Sequence, residues 1–330
     1  MKRCGKLFDL TFSQDNLYQA YLDARRGKRG KRDCFDFEVN LGGNLASLYC
    51  EIHGGEYRPR PYYKFVVHEP KPRLIHAPAF RDIVVQHAIY RVIYDIFDRT
   101  FITSSFACRK GYGTHKASRY VQDALRCYAA DDYILKLDVR KFFYTIDRGI
   151  LRSLIERKAK DRRLVEIMLM FADCDGPVGI PIGNLLSQLY ALIYLNPVDH
   201  FVKRRLSVRH YVRYVDDMVL IGLSRDQAVD YRSSIVAFIE KQLRLTLSKS
   251  TIHKIKRGVN FVGYRTWQHI RIIRKYSLHK FKKKAEIGDR QAVVSILGHA
   301  RQTDSLPYLV GLVQKLGTIS LPKYYRSHIA

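Results

Sequence analysis

Acidic residues are scarce in this chain, and several familiar chemical patterns are missing. Asp and Glu total 31 against 58 Lys and Arg over 330 residues, a formal charge of +27. The excess runs along the whole chain, so a polyanionic partner is expected, nucleic acid first. The six cysteines, Cys4, Cys34, Cys50, Cys108, Cys127 and Cys174, form no C-x-x-C pair, which leaves zinc and thiol-redox motifs unsupported. Scattered thiols suit a reducing cytosol. No apolar run approaches a membrane span, and the opening MKRCGKLFDL lacks an apolar signal core. A cytoplasmic protein with no membrane partner is therefore expected. No Asn-x-Ser/Thr acceptor and no Walker-type phosphate loop occurs, and GYG at 111–113 is too short for a dinucleotide fingerprint. The chain is nevertheless 47% apolar, enough at this length for two or three subdomains with a core.

Residues 210–222, HYVRYVDDMVLIG, carry the strongest local signal. Tyr211, Val212, Tyr214 and Val215 precede two adjacent aspartates; Met218, Val219, Leu220 and Ile221 follow. The flanks predict strands and the break predicts a hairpin turn at Asp216-Asp217. Asn-Gly or Asp-Gly would suit a tight turn better. Two carboxylates at the ends of apolar strands also repel each other and are costly to bury. A divalent cation resolves the conflict, and carboxylates acting with substrate phosphates suit Mg²⁺. A third carboxylate has a similar setting. In DDYILKLDVRKFFYTID (131–147), alternation over Tyr133, Leu135 and Leu137 predicts a strand ending at Asp138. The aromatic pair Phe142-Phe143 follows, where one ring can floor a sugar pocket. Asp147 is predicted as a helix N-cap.

Residues 1 to about 57 predict helices, one through Leu17, Tyr18, Tyr21 and Leu22 and another over Leu41–His53, with a basic run from Arg25 to Arg32 between them. YKFVV and RLIHA predict a hairpin around EPKP (69–72), from which Lys71 and Arg73 could reach triphosphate oxygens. Residues 81–97 predict an apolar helix with His87 as a core histidine. The loop 105–117, basic through Arg109, Lys110 and Lys116, feeds a helix over 114–130. A Gly/Pro-rich loop from Gly176 runs into an apolar helix from about Asn184. There Gly183 permits close backbone approach, and Ser187 and Gln188 are polar exceptions. Residues 224–245 predict an amphipathic helix. Strand-like LTLSKSTIH follows, where Lys249 or His253 could act on a leaving pyrophosphate. VNFVGYRTW predicts a strand pair centred on Gly263. From about residue 268 a small basic helical domain is expected to grip a duplex backbone, with a second segment over Leu306–Leu316.

Taken in order, these motifs resemble those of reverse transcriptases over most of the chain. KPRLI (71–75) is similar to the fingers motif, KLDVRKFF (136–143) to the first catalytic motif and YVDD (214–217) to the catalytic hairpin. NFVGYR (260–265) is similar to the primer grip of bacterial and group II intron-type enzymes. The resemblance implies an α+β fold of right-hand polymerase architecture. It places fingers with an N-terminal helical extension over 1–110, a palm with an antiparallel sheet and fingers-contributing helices over 111–265, and a helical thumb over 266–330. It also implies two-metal phosphoryl transfer with two Mg²⁺ ions, Mn²⁺ serving as a substitute. Asp138, Asp216 and the carbonyl of Val139 would hold the metal, with Asp217 a nearby carboxylate. Lys71 and Arg73 would neutralise the triphosphate, and Phe143 would take the sugar-discriminating position. Ile182, Gly183 and Gln188 would lie near the nucleotide, Lys249 would be the general acid, and Phe261, Gly263 and Tyr264 would hold the primer. Template RNA, a cDNA duplex and dNTPs are the implied partners.

The fourth block, IGNLLSQ (182–188), departs from the common bacterial pattern: Ile182 stands where glutamine is usual and Gln188 where proline is usual. Together with SFACRKGYGTH (105–115) and GIPIG (179–183), it resembles the reverse transcriptases of diversity-generating retroelements. Members of that group copy a template-repeat RNA with errors concentrated at template adenines. They work with a small basic accessory protein that forms an oligomer, and the mutated cDNA replaces a variable region. A retron-type or group II-like enzyme of ordinary fidelity would share the aspartates, as would an abortive-infection-type polymerase making untemplated DNA. A non-catalytic RNA-binding scaffold would be expected to have lost one, and all three are present.

Overall fold

The computed structural model describes residues 4–68 and 71–326. Glu69 and Pro70, half of the expected EPKP turn, lie outside the described residues. Helices and antiparallel strand pairings make the fold α+β, as expected. Contact density divides the chain into two units. One comprises Met1–Ile102, Val139–Phe201 and Ile235–Ser248; the other comprises Thr103–Asp138, Val202–Ser234 and Lys249–Ala330. Among the described residues no helix is long and apolar enough to cross a membrane.

The first unit is helical except for one hairpin. It opens with α1 (Leu7–Thr11), α2 (Gln14–Ala24), α3 (Arg32–Val39) and α4 (Leu41–Gly54). Ser13 caps α2 by accepting from the Asn16 amide, and Leu17, Ala20, Tyr21 and Ala24 recur at helical spacing on its buried face. The hairpin is β1 (Tyr63–Val67) and β2 (Arg73–Ala77), paired from Tyr63↔Ala77 to Val67↔Arg73, with β1 exposed along its length. Helix α5 (Phe80–Asp98) follows, and its buried stripe includes Val84, Ile89, Ile93 and Phe97. The later segments supply α7 (Phe142–Thr145), α8 (Arg148–Glu156), α9 (Arg162–Met170) and α10 (Leu185–His200). Asp147 caps α8, accepting from the Ile150 amide at 3.0 Å, as expected. Helix α10 is apolar on nearly every side because it is a core helix.

The second unit carries the larger sheets. Helix α6 covers Thr114–Arg126, four residues shorter than expected. Strands β3 (Tyr133–Val139), β4 (His210–Tyr214), β5 (Asp217–Leu223) and β6 (Leu247–Lys254) form a sheet in the order β4-β5-β3-β6. Only Val139, Leu247 and Ser248 of that sheet fall in the first unit. Helix α11 (Arg225–Leu243), whose residues from Ile235 on fall in the first unit, starts with a capping box, the Ser224 amide donating to Gln227 Oε1 and the Gln227 amide to Ser224 Oγ. Strands β7 (Val259–Phe261) and β8 (Tyr264–Thr266) are the expected pair. A third strand, β9 (Arg271–Ile273), joins β8 where helix was expected to begin. Three residues between basic neighbours are too short a run for a periodicity argument. The chain ends in α12 (Lys275–Glu286), α13 (Arg290–Ala300), α14 (Leu306–Leu316) and α15 (Lys323–Arg326). Their core takes in Phe281, Val293, Leu297, Leu309 and Val313, together with Tyr264 of β8 and Ile273 of β9.

Candidate active site

Antiparallel register brings the first pair of carboxylates together. Strand β5 pairs with β3 so that Asp217 faces Asp138, and with β4 so that Asp217 also faces Tyr214. The hairpin turn is therefore Val215-Asp216, not the expected Asp216-Asp217; Asp217 is already the first residue of β5. The shift by one follows from backbone geometry. A two-residue hairpin wants positive φ in its loop, and Val215 takes φ 55°. A β-branched residue there is a strained outlier. The strained turn places Asp216 in the loop and Asp217 at the start of β5, opposite Asp138.

The face bearing these groups changes character along its length. Ile134, Val212, Val219 and Ile221 are buried beneath α6 residues and Phe261. Two residues along β3 from Ile134 the same face shows Lys136, and two further on Asp138. Lys136 lies opposite Val219, so Asp217 is its diagonal cross-strand neighbour. Its ammonium donates to Asp217 Oδ2 at 2.8 Å and to the Asn260 carbonyl at 2.6 Å. Sequence reading passed over Lys136 because its partner lies 81 residues away in the chain.

Asp217 is left half-satisfied by this arrangement. Its Oδ1 is buried and has no hydrogen-bond partner. Burial pushes its carboxyl above the ordinary range and Asp138 adds to the push, while Lys136 opposes it. An orphaned buried acceptor costs about 1–3 kcal/mol, and a bound cation would remove that cost. Among the described residues no group of three or more His, Cys, Asp or Glu side chains is arranged to hold a metal. The donor set is instead the paired aspartates, with the unpartnered Asp217 Oδ1 left for a cation to use. Those hard oxygen donors fit Mg²⁺.

Asp138, Asp217 and Lys136 line a cleft of about 1070 Å³ within the second unit. Lys249 lines it too, together with Arg257, Arg265, Arg274 and Lys275. A cleft lined by cations and two carboxylates suits a polyanion delivered to a metal centre. His253 also lines the cleft, but its Nε2 is engaged with the Gly258 carbonyl at 3.2 Å, and burial lowers its basicity.

The primer-grip candidates are placed differently. Phe261 and Tyr264 are both buried, with the Val262-Gly263 turn between them. Phe261 meets Tyr214 edge-on. The Tyr264 ring stacks on His299 at 4.2 Å, and its hydroxyl lies 3.1 Å from His115 Nδ1 and 2.8 Å from the His299 carbonyl. Gly263 has φ 90°, and a Cβ there would stand 2.8 Å from His299 Nε2.

The nucleotide-binding candidates gather in the first unit. The His76 amide of β2 donates to the Ile182 carbonyl at 2.7 Å, and the Ile180 amide donates to the Phe143 carbonyl at 2.8 Å. The segment 179–183 is thereby laced to both the β1–β2 hairpin and the α7 turn. Gly183 is required at that crossing: it has φ 116°, and a Cβ would lie 2.9 Å from Ile75 Cγ2 and 3.0 Å from the His76 carbonyl. Lys71, Arg73 and Gln188 are exposed, and Phe143 and Ile182 are half-buried. Behind them lies a network absent from the sequence reading. Gln86 Nε2 donates to Asn184 Oδ1 at 2.7 Å, and Gln86 Oε1 accepts from the Leu185 amide at 3.0 Å. Asn184 Nδ2 donates to the Tyr62 hydroxyl and the Phe171 carbonyl. Gln86 does the capping of α10 that Asn184 would ordinarily do.

Comparison with known proteins bears on the whole arrangement. Residues 68–266 match the family model described as reverse transcriptase (RNA-dependent DNA polymerase). The chain is 25% identical over 275 residues to Protein YkfC of Escherichia coli K12, covering 69% of this chain and 72% of that one. It is 25% identical over 170 residues to the group II intron-encoded protein LtrA of Lactococcus lactis, covering 48% of this chain but 28% of LtrA. Among solved structures it is similar to telomerase from Candida albicans in complex with a fragment of telomeric RNA. The TM-score is 0.47 at 12% identity, covering 88% of this chain and 69% of that one.

Proposed function

Because the chain belongs to the reverse transcriptase (RNA-dependent DNA polymerase) family, we propose that it is the error-prone member of a diversity-generating retroelement. RNA-directed DNA polymerase activity comes with the family, as does an α+β right-hand polymerase fold. The finer reading is that it copies a template-repeat RNA into cDNA with errors at template adenines, for mutagenic retrohoming. The three-part division into fingers, palm and thumb and the accessory protein oligomer belong to the same proposal.

In this reading Asp138, Asp216 and the Val139 carbonyl, next in the chain after Asp138, would hold Mg²⁺, with Asp217 close by. When bound, the metal makes the primer 3′-hydroxyl easier to ionise and offsets charge on the departing pyrophosphate. The chain's own groups supply position and counter-charge. Lys136 holds Asp217 in place. Lys71 and Arg73 would pair with triphosphate oxygens, Arg73 through its planar fork. Phe143 would stand beneath the sugar. Lys249 would give a proton to the leaving group. The Val262-Gly263 turn would present backbone to the primer, because Phe261 and Tyr264 are buried as its anchors.

One observation carries the mutagenic reading: the block at 182–188 has Ile182 and Gln188 where glutamine and proline are usual. A glutamine can hydrogen-bond a nucleotide and hold its orientation; an isoleucine cannot. Orientation accounts for much of the rate difference between right and wrong substrates. The lacing of residues 179–183 to β2 supports the reading, because it ties Ile182 to the hairpin that carries Lys71 and Arg73. The test is primer extension on RNA and DNA templates with sequenced products. Errors clustered opposite adenine, reduced about tenfold by Ile182→Gln and all synthesis lost in Asp216→Ala, are the expected result. Accurate copying would reassign the chain to the group II-like class that LtrA represents. Incorporation that persists in Asp216→Ala would overturn the site.

A further inference from the structure

A fully buried charge has no part in the mechanism above. Arg213 is 0% exposed and heads the largest fully buried side chains, the others being aromatic or aliphatic. A guanidinium stays protonated under all ordinary conditions. Keeping one in a core is costly unless its hydrogen bonds are used. One of them leads to the candidate catalytic turn. Arg213 Nη1 donates to the carbonyl of Val215, two residues ahead, at 2.9 Å.

That carbonyl belongs to the peptide joining Val215 to Asp216. Holding its oxygen sets the plane of that peptide, and so the direction in which the chain enters Asp216 and Asp217. Val215 is also the strained residue of the turn, a β-branched side chain at φ 55°. Such a conformation persists only when surrounding structure imposes it. The base of the lever is itself fixed. The Arg213 amide donates to the Ser104 carbonyl at 3.0 Å, the Arg213 carbonyl accepts from the Phe106 amide at 3.0 Å, and Arg213 faces Met218 across the hairpin.

We propose that Arg213 is a positioning residue for the reaction: its buried guanidinium holds Val215 in the left-handed conformation and thereby aims Asp216 and Asp217. The inference rests on the polymerase reading for its effect on rate, but its structural half does not. The alternative is that Arg213 only fills the core.

Glycine separates the two, because it adopts positive φ without strain. In the 330-residue chain, Arg213→Lys, Val215→Gly and the double variant are compared with the parent by steady-state primer extension. Hydrogen exchange of the amides over residues 214–219 is followed in parallel. Arg213→Lys should lower kcat on the order of 10–100-fold, with KM for primer–template unchanged, and the turn amides should exchange faster. Adding Val215→Gly should recover about tenfold of the lost rate and restore protection. A double variant no more active and no better protected than Arg213→Lys overturns the proposal, as does a loss confined to KM. If Arg213→Lys does not fold, the proposal requires the double variant to fold. A double variant that stays unfolded assigns Arg213 to the core alone. If the parent extends no primer on any template, the polymerase reading falls while the exchange data still decide the role of Arg213.

Discussion

The carboxylates at the strand ends create a local conflict that metal binding should relieve. Asp217 faces Asp138, is pushed up by burial, and keeps one oxygen without a partner. Saturating Mg²⁺ should therefore stabilise the folded protein by about 1–3 kcal/mol, measurable as a rise in thermal midpoint. Asp138→Asn should abolish most of that rise. A rise of equal size in the variant would place the ion elsewhere. His87 makes a pH prediction. Burial, and then the nearby Lys28 charge, lower its pKa to about 4 from an ordinary 6.5. The folded state binds that proton less readily than the unfolded chain does. Stability from this residue is complete above about pH 6.5, falls as pH drops toward 4, and levels off below. Discounted for partial solvent access, the loss is about 1–2 kcal/mol. Urea unfolding at pH 7 and pH 4.5 should show a loss that is smaller by this amount in His87→Gln than in the parent. Of the residues that matter here, those with carboxylates at strand ends were legible in sequence. Lys136, Arg213 and Gln86 were not, because each acts through a partner supplied by folding.

At the scale of elements, the β1–β2 hairpin depends on one crossing. Its strand β2 donates an amide to Ile182, and Gly183 leaves the space for that approach. Gly183→Ala would force a side chain against the Ile75 methyl and a backbone carbonyl at a φ that disfavours it. It should destabilise the protein by about 1–3 kcal/mol. It should also raise KM for dNTP more than it lowers kcat, since Lys71 and Arg73 ride on the hairpin. A KM unchanged beside a lowered midpoint would remove the hairpin from nucleotide binding. The sequence reading anticipated the hairpin, the tight approach at Gly183 and the apolar helix α10. It anticipated the start of α8 through its Asp147 cap, but not α9, nor β9, whose three residues become a strand only because β8 offers them an edge.

For the whole molecule, the charge of +27 is the dominant fact. The cleft beside Asp138 and Asp217 is lined by Lys249, Arg257, Arg265, Arg274 and Lys275. If the protein neutralises about six phosphates of a duplex, affinity should fall about a thousandfold between 50 and 200 mM salt. Fluorescence anisotropy on an RNA–DNA hybrid would measure the slope. Replacing Arg265 and Lys275 with glutamine should make it shallower by about two phosphates' worth. A slope unchanged by those substitutions would move the duplex to another face.

The sequence alone determined the chemistry and much of its order along the chain. Periodicity marked the strands, and the carboxylates at their ends stood out because apolar strands ordinarily exclude them. Composition set the partner class, because net charge does not depend on the fold. Tertiary structure decided which groups touch. Cross-strand register placed Asp138 against Asp217, with Lys136 diagonal to Asp217. Burial took Phe261 and Tyr264 into the cores and left the turn between them half-buried. The turn moved by one residue because hairpin closure requires positive φ at Val215, a demand made by strand pairing that no local sequence preference of valine could announce.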